Sequence, residues 1–114
     1  MVEELFEARP VARTVDRDEA CAAVTEIFFP HRLELIDPCR PLDLRLNAVR
    51  LGRVTAGYLY YGTDVHIYSE KVSEYHVNLP LRGVVVSRTG LKEPVHAAPG
   101  RAAVFLPDLP SMQW

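Results

Sequence analysis

Residues 74–83 read EYHVNLPLRG. In an extended chain the side chains alternate, so Tyr75, Val77 and Leu79 fall on one face and His76 and Asn78 on the other. A face turned to water ordinarily carries Lys, Glu or Thr. Histidine and asparagine there ask for specific hydrogen-bond partners, and Gly83 closes the run. Alternation alone sends Tyr75, Val77 and Leu79 to the core. The orientation of this strand decides whether His76 is catalytic, a wall of a binding cavity, or plain packing.

The flanking sequence has the same short-strand character. LDLRLNAVRL (42–51) alternates, LGRV makes a turn, and VTAGYLYYG (54–62) follows with Val54, Ala56, Tyr58 and Tyr60 on one face. TDVHIYS (63–69), VVVSRTG (84–90), LKEPVHA (91–97) and APGRAAVFLPDLP (98–110) continue the series. Short strands at regular spacing, punctuated by Gly and Pro, describe an all-β sandwich or barrel. No βαβ units occur, so a parallel sheet is not expected. One helix precedes the strands, in DRDEACAAVTEIFFP. Asp16 is its N-cap with Glu19 three residues on, Ala20, Val24, Ile27 and Phe28 form its apolar stripe, and Pro30 ends it.

At 114 residues the chain holds one core. Apolar content of 48% against 25% charged is that of a globular protein, and no apolar run reaches the length a bilayer demands. The opening, MVEELFEARP, is acidic rather than a basic leader, so the expected location is cytoplasmic. Cys21 and Cys39 lack zinc-site spacing and are expected as free thiols. Net charge is −2 with no basic cluster, so this segment is not expected to bind nucleic acid by itself. The end at PSMQW, on an apolar aromatic, reads as a position inside a longer protein.

Catalytic chemistry has no carriers here. His31, His66, His76 and His96 include no HxH or HxxxH pair, and the one HxxE spacing, His31 to Glu34, falls short of the three or four converging ligands that a mononuclear metal site needs. None of Ser69, Ser73, Ser87 and Ser111 sits in a GxSxG elbow, and LGRVTAG lacks the spacing of a phosphate loop. The tyrosines are more suggestive: Tyr58, Tyr60, Tyr61, Tyr68 and Tyr75 crowd into adjacent strands. Rings with a hydroxyl suit a cleft for a small amphipathic ligand; the same set would also serve as a cross-strand aromatic ladder. No arginine-rich face that would force a carboxylate ligand is evident.

HRLELIDPCRPLDLRLNAVRLGRVTAGYLYYGTDV, then EYHVNLPLRG, then APGRAAVFLPDLP resembles, in order and spacing, the N-terminal effector-sensing domain of AraC/XylS-type bacterial transcription regulators. The likeness runs from about Phe6 to Trp114 and rests most on YHVNLPLRG and PGRAAVFLPD. It implies a mostly β fold, a cupin-like jelly roll (double-stranded β-helix barrel) with one N-terminal helix. It further implies that 1–114 is a single, truncated effector-binding domain. The helix-turn-helix DNA-binding domain of such regulators would lie beyond this chain, so DNA would be reached only through it. A small-molecule effector and a homodimer are the implied partners, with no cofactor and no membrane.

The cupin template also tests the metal question. Its glutamate ligand, seven residues before the strand-ending glycine, falls on His76, its HxH pair on Ser69/Lys71 or Glu70/Val72, and its last histidine near Ser111. Only His76 among these could bind a metal, which removes metal-cupin catalysis. The template turns His76 and Asn78 inward, against the alternation rule. A strand buried on both faces, its second face under the helix or a partner subunit, would reconcile the two. The expected ligand-lining residues are Tyr58, Tyr60, Tyr68, His76 and Asn78, with Trp114 at the rim, and no catalytic or metal residue. A small cupin-type enzyme and a ligand-free self-association module are the rival readings.

Overall fold

The computed structural model describes residues 4–69, 74–89, 93–105 and 111–113. They divide into two compact units, with the boundary just after Val65.

In the first unit, β1 (Pro10–Thr14) leads into α1 (Arg17–Ile27), then β2 (Arg32–Leu35), β3 (Leu44–Leu51) and β4 (Val54–Tyr60). Strands β1, β3 and β4 form an antiparallel sheet in that order. The β3–β4 hairpin closes on two residues, because Leu51 pairs with Val54. Gly52 takes φ +65° there, the positive angle a tight hairpin needs and glycine adopts without strain.

Helix α1 starts where expected. The Asp16 carboxylate accepts from the Glu19 N–H at 2.9 Å, satisfying one of the unpaired amides of the first turn. The reciprocal half of the capping box is absent. Glu19 instead accepts from the Thr14 hydroxyl, and that hydroxyl accepts from the Asp16 N–H. The helix packs on β1, β2 and β3, burying Ala20 and Val24 with Leu42, Leu44 and Leu46 of the sheet side. Gly57, opposite Ala48, leaves room for the Phe28 ring, whose Cζ lies 2.5 Å from where a Cβ would sit.

The second unit is built from β5 (Val65–Ser69), β6 (His76–Asn78), β7 (Val85–Thr89), β8 (Val95–Ala97), β9 (Ala103–Phe105) and β10 (Ser111–Gln113). One antiparallel sheet runs β5-β10-β7-β8, while β6 leaves it to pair with β9. Successive strands thus pass between two sheets, as in a jelly roll. The fold is mostly β and cupin-like. Ala97, Ala103 and Phe105 form its apolar core cluster.

Strand β6 sides with the template and against simple alternation. Tyr75, Val77 and Leu79 are 70%, 53% and 68% exposed, whereas His76 and Asn78 are half-buried. The reason lies in the partner strand. His76 pairs with Phe105 and Asn78 with Ala103, both buried, while Val77 pairs with the exposed Val104. Within this chain the apolar face of β6 is open, so the expectation that the helix covers it is corrected.

Candidate functional site

On the inner face of the second unit, three polar side chains are linked in series. The Asn78 amide nitrogen donates to Gln113 Oε1 at 2.5 Å. That orientation leaves Asn78 Oδ1 to accept from His76 Nε2 at 2.7 Å, so His76 carries its proton on Nε2. The imidazole also tilts against the Phe105 ring, centroid to centroid 5.7 Å. Burial pushes the His76 pKa below the ordinary 6.5, and the Asn78 hydrogen bond offsets part of that. His76 is held neutral near pH 7, as a hydrogen-bonding group rather than a charge.

Around this chain the interior is polar. Gln113 stands opposite Ile67 on one side and Ser87 on the other. Ser69, Ser87 and Gln113 are all buried. Buried polar side chains are costly unless paired, so a row of them marks a surface made to hydrogen-bond. Tyr68 belongs to the opposite face of β5, since it is in register with Met112 and Arg88 rather than with Gln113.

Tyr58 and Tyr60 lie in the first unit, half-buried and on one face of β4. Register places them opposite Asn47 and Arg45 of β3, and Arg45 stacks over the Tyr60 ring at 5.6 Å. Asn47 is fully buried. Its amide nitrogen donates to Glu4 Oε1 at 2.8 Å and to the Leu5 carbonyl at 2.9 Å. Arg13, the register partner of Arg45, also binds Glu4. These contacts, with the Asn47 hydrogen bond the strongest, hold the Glu4 carboxyl below its ordinary range. Strand register thus sets Arg13 and Arg45 opposite one another, each paired with a carboxylate, Arg13 with Glu4 and Arg45 with Asp43 at 3.5 Å.

The structure thus brings His76 and Asn78 together, and separately Tyr58 and Tyr60; Trp114 lies outside the described residues. Sequence reasoning missed Gln113, Asn47, Arg13 and Glu4. For Asn47 there was a signal, a lone amide inside the leucine alternation of β3. Gln113 sits in a strand too short to announce itself. Among the described residues no three His, Cys, Asp or Glu side chains converge as a metal site, and none of their helices is long and apolar enough to cross a membrane. Cys21 and Cys39 are free thiols.

Residues 20–114 match the model of the AraC-binding-like domain. A probable thc operon regulatory protein from Rhodococcus erythropolis is 37% identical over 94 residues, which are 82% of this chain and 28% of that protein. The chain therefore spans 28% of the length of this curated relative. No solved structure gives a significant match. With the jelly-roll strand order and the inward His76–Asn78 face in place, the family match covers most of the molecule, and the chain belongs to the AraC-binding-like domain family.

Proposed function

We propose that this chain is the effector-sensing module of a cytoplasmic AraC-type transcription regulator, without enzymatic activity of its own. A small organic molecule binds it without a metal and shifts the populations of regulator states. Such a shift requires the effector to bind one state more tightly than the other. DNA is contacted by a helix-turn-helix domain outside this chain, and the regulator works as a homodimer. The exposed apolar stripe of Tyr75, Val77, Leu79 and Val104 is in keeping with self-association.

The observation that carries this reading is the His76–Asn78–Gln113 chain on the inner face of a sensing-domain fold. A neutral imidazole and two amides offer both donors and acceptors without imposing a charge. That suits recognition of hydroxyl, carbonyl or amide groups. His76, Asn78 and Gln113 are the proposed ligand-lining residues of this face; Tyr68 stands on the opposite face of β5, and Tyr58 and Tyr60 belong to the first unit.

The test is a thermal-shift screen of the chain against sugars, aromatic acids and fatty acids. A genuine effector at one hundred times its Kd stabilises by about 2.7 kcal/mol. For a domain of this size that raises Tm by about 10 °C. Asn78→Leu should abolish the response to that compound. A flat response to every class, with association that depends on protein concentration, would favour the self-association module instead. Turnover abolished by a chelator would favour the cupin-type enzyme.

A further inference from the structure

The sheet of the first unit has two edges, β1 and β4, since its order is β1-β3-β4. An open edge presents a row of unpaired N–H and C=O groups, and proteins blunt it with proline, charge, a bulge or a short strand. Strand β1 carries three of these devices. It begins at Pro10, holds Arg13, and shifts register between Pro10 and Ala12. Strand β4 carries none of them. VTAGYLY runs for seven residues without a proline, a charge or a break in its pairing with β3. Helix α1 packs chiefly on β1, β2 and β3, and Thr55, Gly57 and Leu59 of β4 are exposed.

The hairpin sets which backbone groups point outward. In a two-residue hairpin the flanking pair, here Leu51 and Val54, exchanges backbone hydrogen bonds. Ala56, Tyr58 and Tyr60 are in phase with Val54 and bond to β3. Thr55, Gly57 and Leu59 therefore turn their N–H and C=O groups away from β3, and among the described residues no strand meets them. An uncharged edge of this length is a template for another strand, and VTAGYLY fits a copy of itself. We propose that two copies of this chain associate by antiparallel pairing of β4 with β4, about a two-fold axis at Gly57. Two three-stranded sheets then become one continuous sheet. In that register Thr55 faces Leu59 of the other copy, Ala56 faces Tyr58, and Val54 faces Tyr60. Every outward group is satisfied, no like charges oppose one another, and the glycine at the axis adds no side chain to the crossing. A slip of two residues would leave Thr55 or Leu59 outside the pairing. The contact is isologous and closes at the dimer. The inference rests on the homodimeric reading above and gives that dimer its contact, using neither the His76 face nor the stripe around Val77.

Sedimentation of the chain over a range of concentrations, with amide exchange followed by NMR, tests it. The parent is expected to be dimeric, with the Thr55, Gly57 and Leu59 amides protected from exchange. Two double variants read the register, with circular dichroism and urea unfolding confirming that both fold. Thr55→Lys with Leu59→Lys sets lysine against lysine at both ends of the pairing and should weaken the dimer about tenfold. Thr55→Glu with Leu59→Lys sets glutamate against lysine and should stay within about threefold of the parent. Net charge alone argues the other way: the chain carries −2, which two lysines bring to 0 and the Glu/Lys variant leaves at −2. The inference is overturned if the two variants associate equally, or if the three amides exchange freely in the dimer. Either result leaves the homodimeric reading standing and moves the contact elsewhere, to the Val77 stripe if Val77→Lys dissociates the dimer. A chain that stays monomeric at every concentration also overturns the inference, while the sensing role is decided separately by the thermal-shift screen.

Discussion

Replacing Asn78 with aspartate should reverse the way stability depends on pH. In the parent chain His76 is buried and neutral, with its pKa below the ordinary 6.5. The unfolded chain takes up a proton near 6.5 while the folded chain resists it. Stability is then full above about 6.5, falls as the pH drops below it, and levels off beneath the folded pKa. Asn78→Asp keeps the side-chain shape but puts a carboxylate oxygen about 2.7 Å from His76 Nε2, the distance of the present hydrogen bond. Gln113 can turn its amide over and donate to the new oxygen. At that separation the ion pair is worth about 6 kcal/mol for an effective dielectric of 20, and desolvation returns part of it. The usual outcome of an opposite charge this close is a shift of about 1–3 pKa units, or roughly 1.4–4 kcal/mol. His76 then titrates above its ordinary value. The added stability is fully present below about pH 6.5 and is lost as the pH rises through the new pKa. Urea unfolding of parent and variant at about pH 5.5 and about pH 8, together with an NMR titration of the His76 ring proton, reads both effects. His31, whose pKa burial also lowers, is present in both proteins and cancels in the difference. A difference in stability that is flat with pH, or a His76 resonance that titrates alike in both, would refute the His76–Asn78 geometry.

Three further outcomes follow from the first unit. Asp16→Ala removes the acceptor for the Glu19 N–H and should cost about 1 kcal/mol, a Tm loss of about 4 °C by calorimetry. Gly57→Ala places a methyl group 2.5 Å from Phe28 Cζ; thermal unfolding should show a net loss of about 1–3 kcal/mol from overpacking, and Phe28→Ala in the same chain should relieve part of it. Tyr61→Phe removes a buried hydroxyl that has no hydrogen-bond partner and whose pKa burial drives well above its ordinary value. Because an unpaired buried hydroxyl is a cost, urea unfolding should find the variant as stable as the parent or about 1 kcal/mol more so. A clear loss would mean that the hydroxyl is bonded after all.

Local rules read the first unit well where the pattern is long. The eight residues of β3 and seven of β4 display their alternation, and Gly52 marks the hairpin between them. Asp16, Glu19 and Pro30 bound the helix within a residue or two. Strands β1, β2 and β10 went unread because PVART, RLEL and SMQ are too short for a period of two to show. Pro10 further disguises β1, although the first residue of an edge strand tolerates proline. The site was less readable for a different reason. His76 and Asn78 look like the outer side of a strand until their register with Phe105 and Ala103 is known. Arg13 and Arg45 become neighbours only through the β1–β3 pairing, and no single-strand pattern contains that information.

The most direct test of the sensing role is an NMR titration that follows the side-chain amides of Asn78 and Gln113 while adding whichever compound raises Tm in the screen. Both amide signals should move together and saturate at the same ligand concentration as the thermal shift, because the two groups are joined at 2.5 Å. A compound that stabilises the fold while both amides stay unmoved would show that the His76–Asn78–Gln113 face is packing and not a recognition wall.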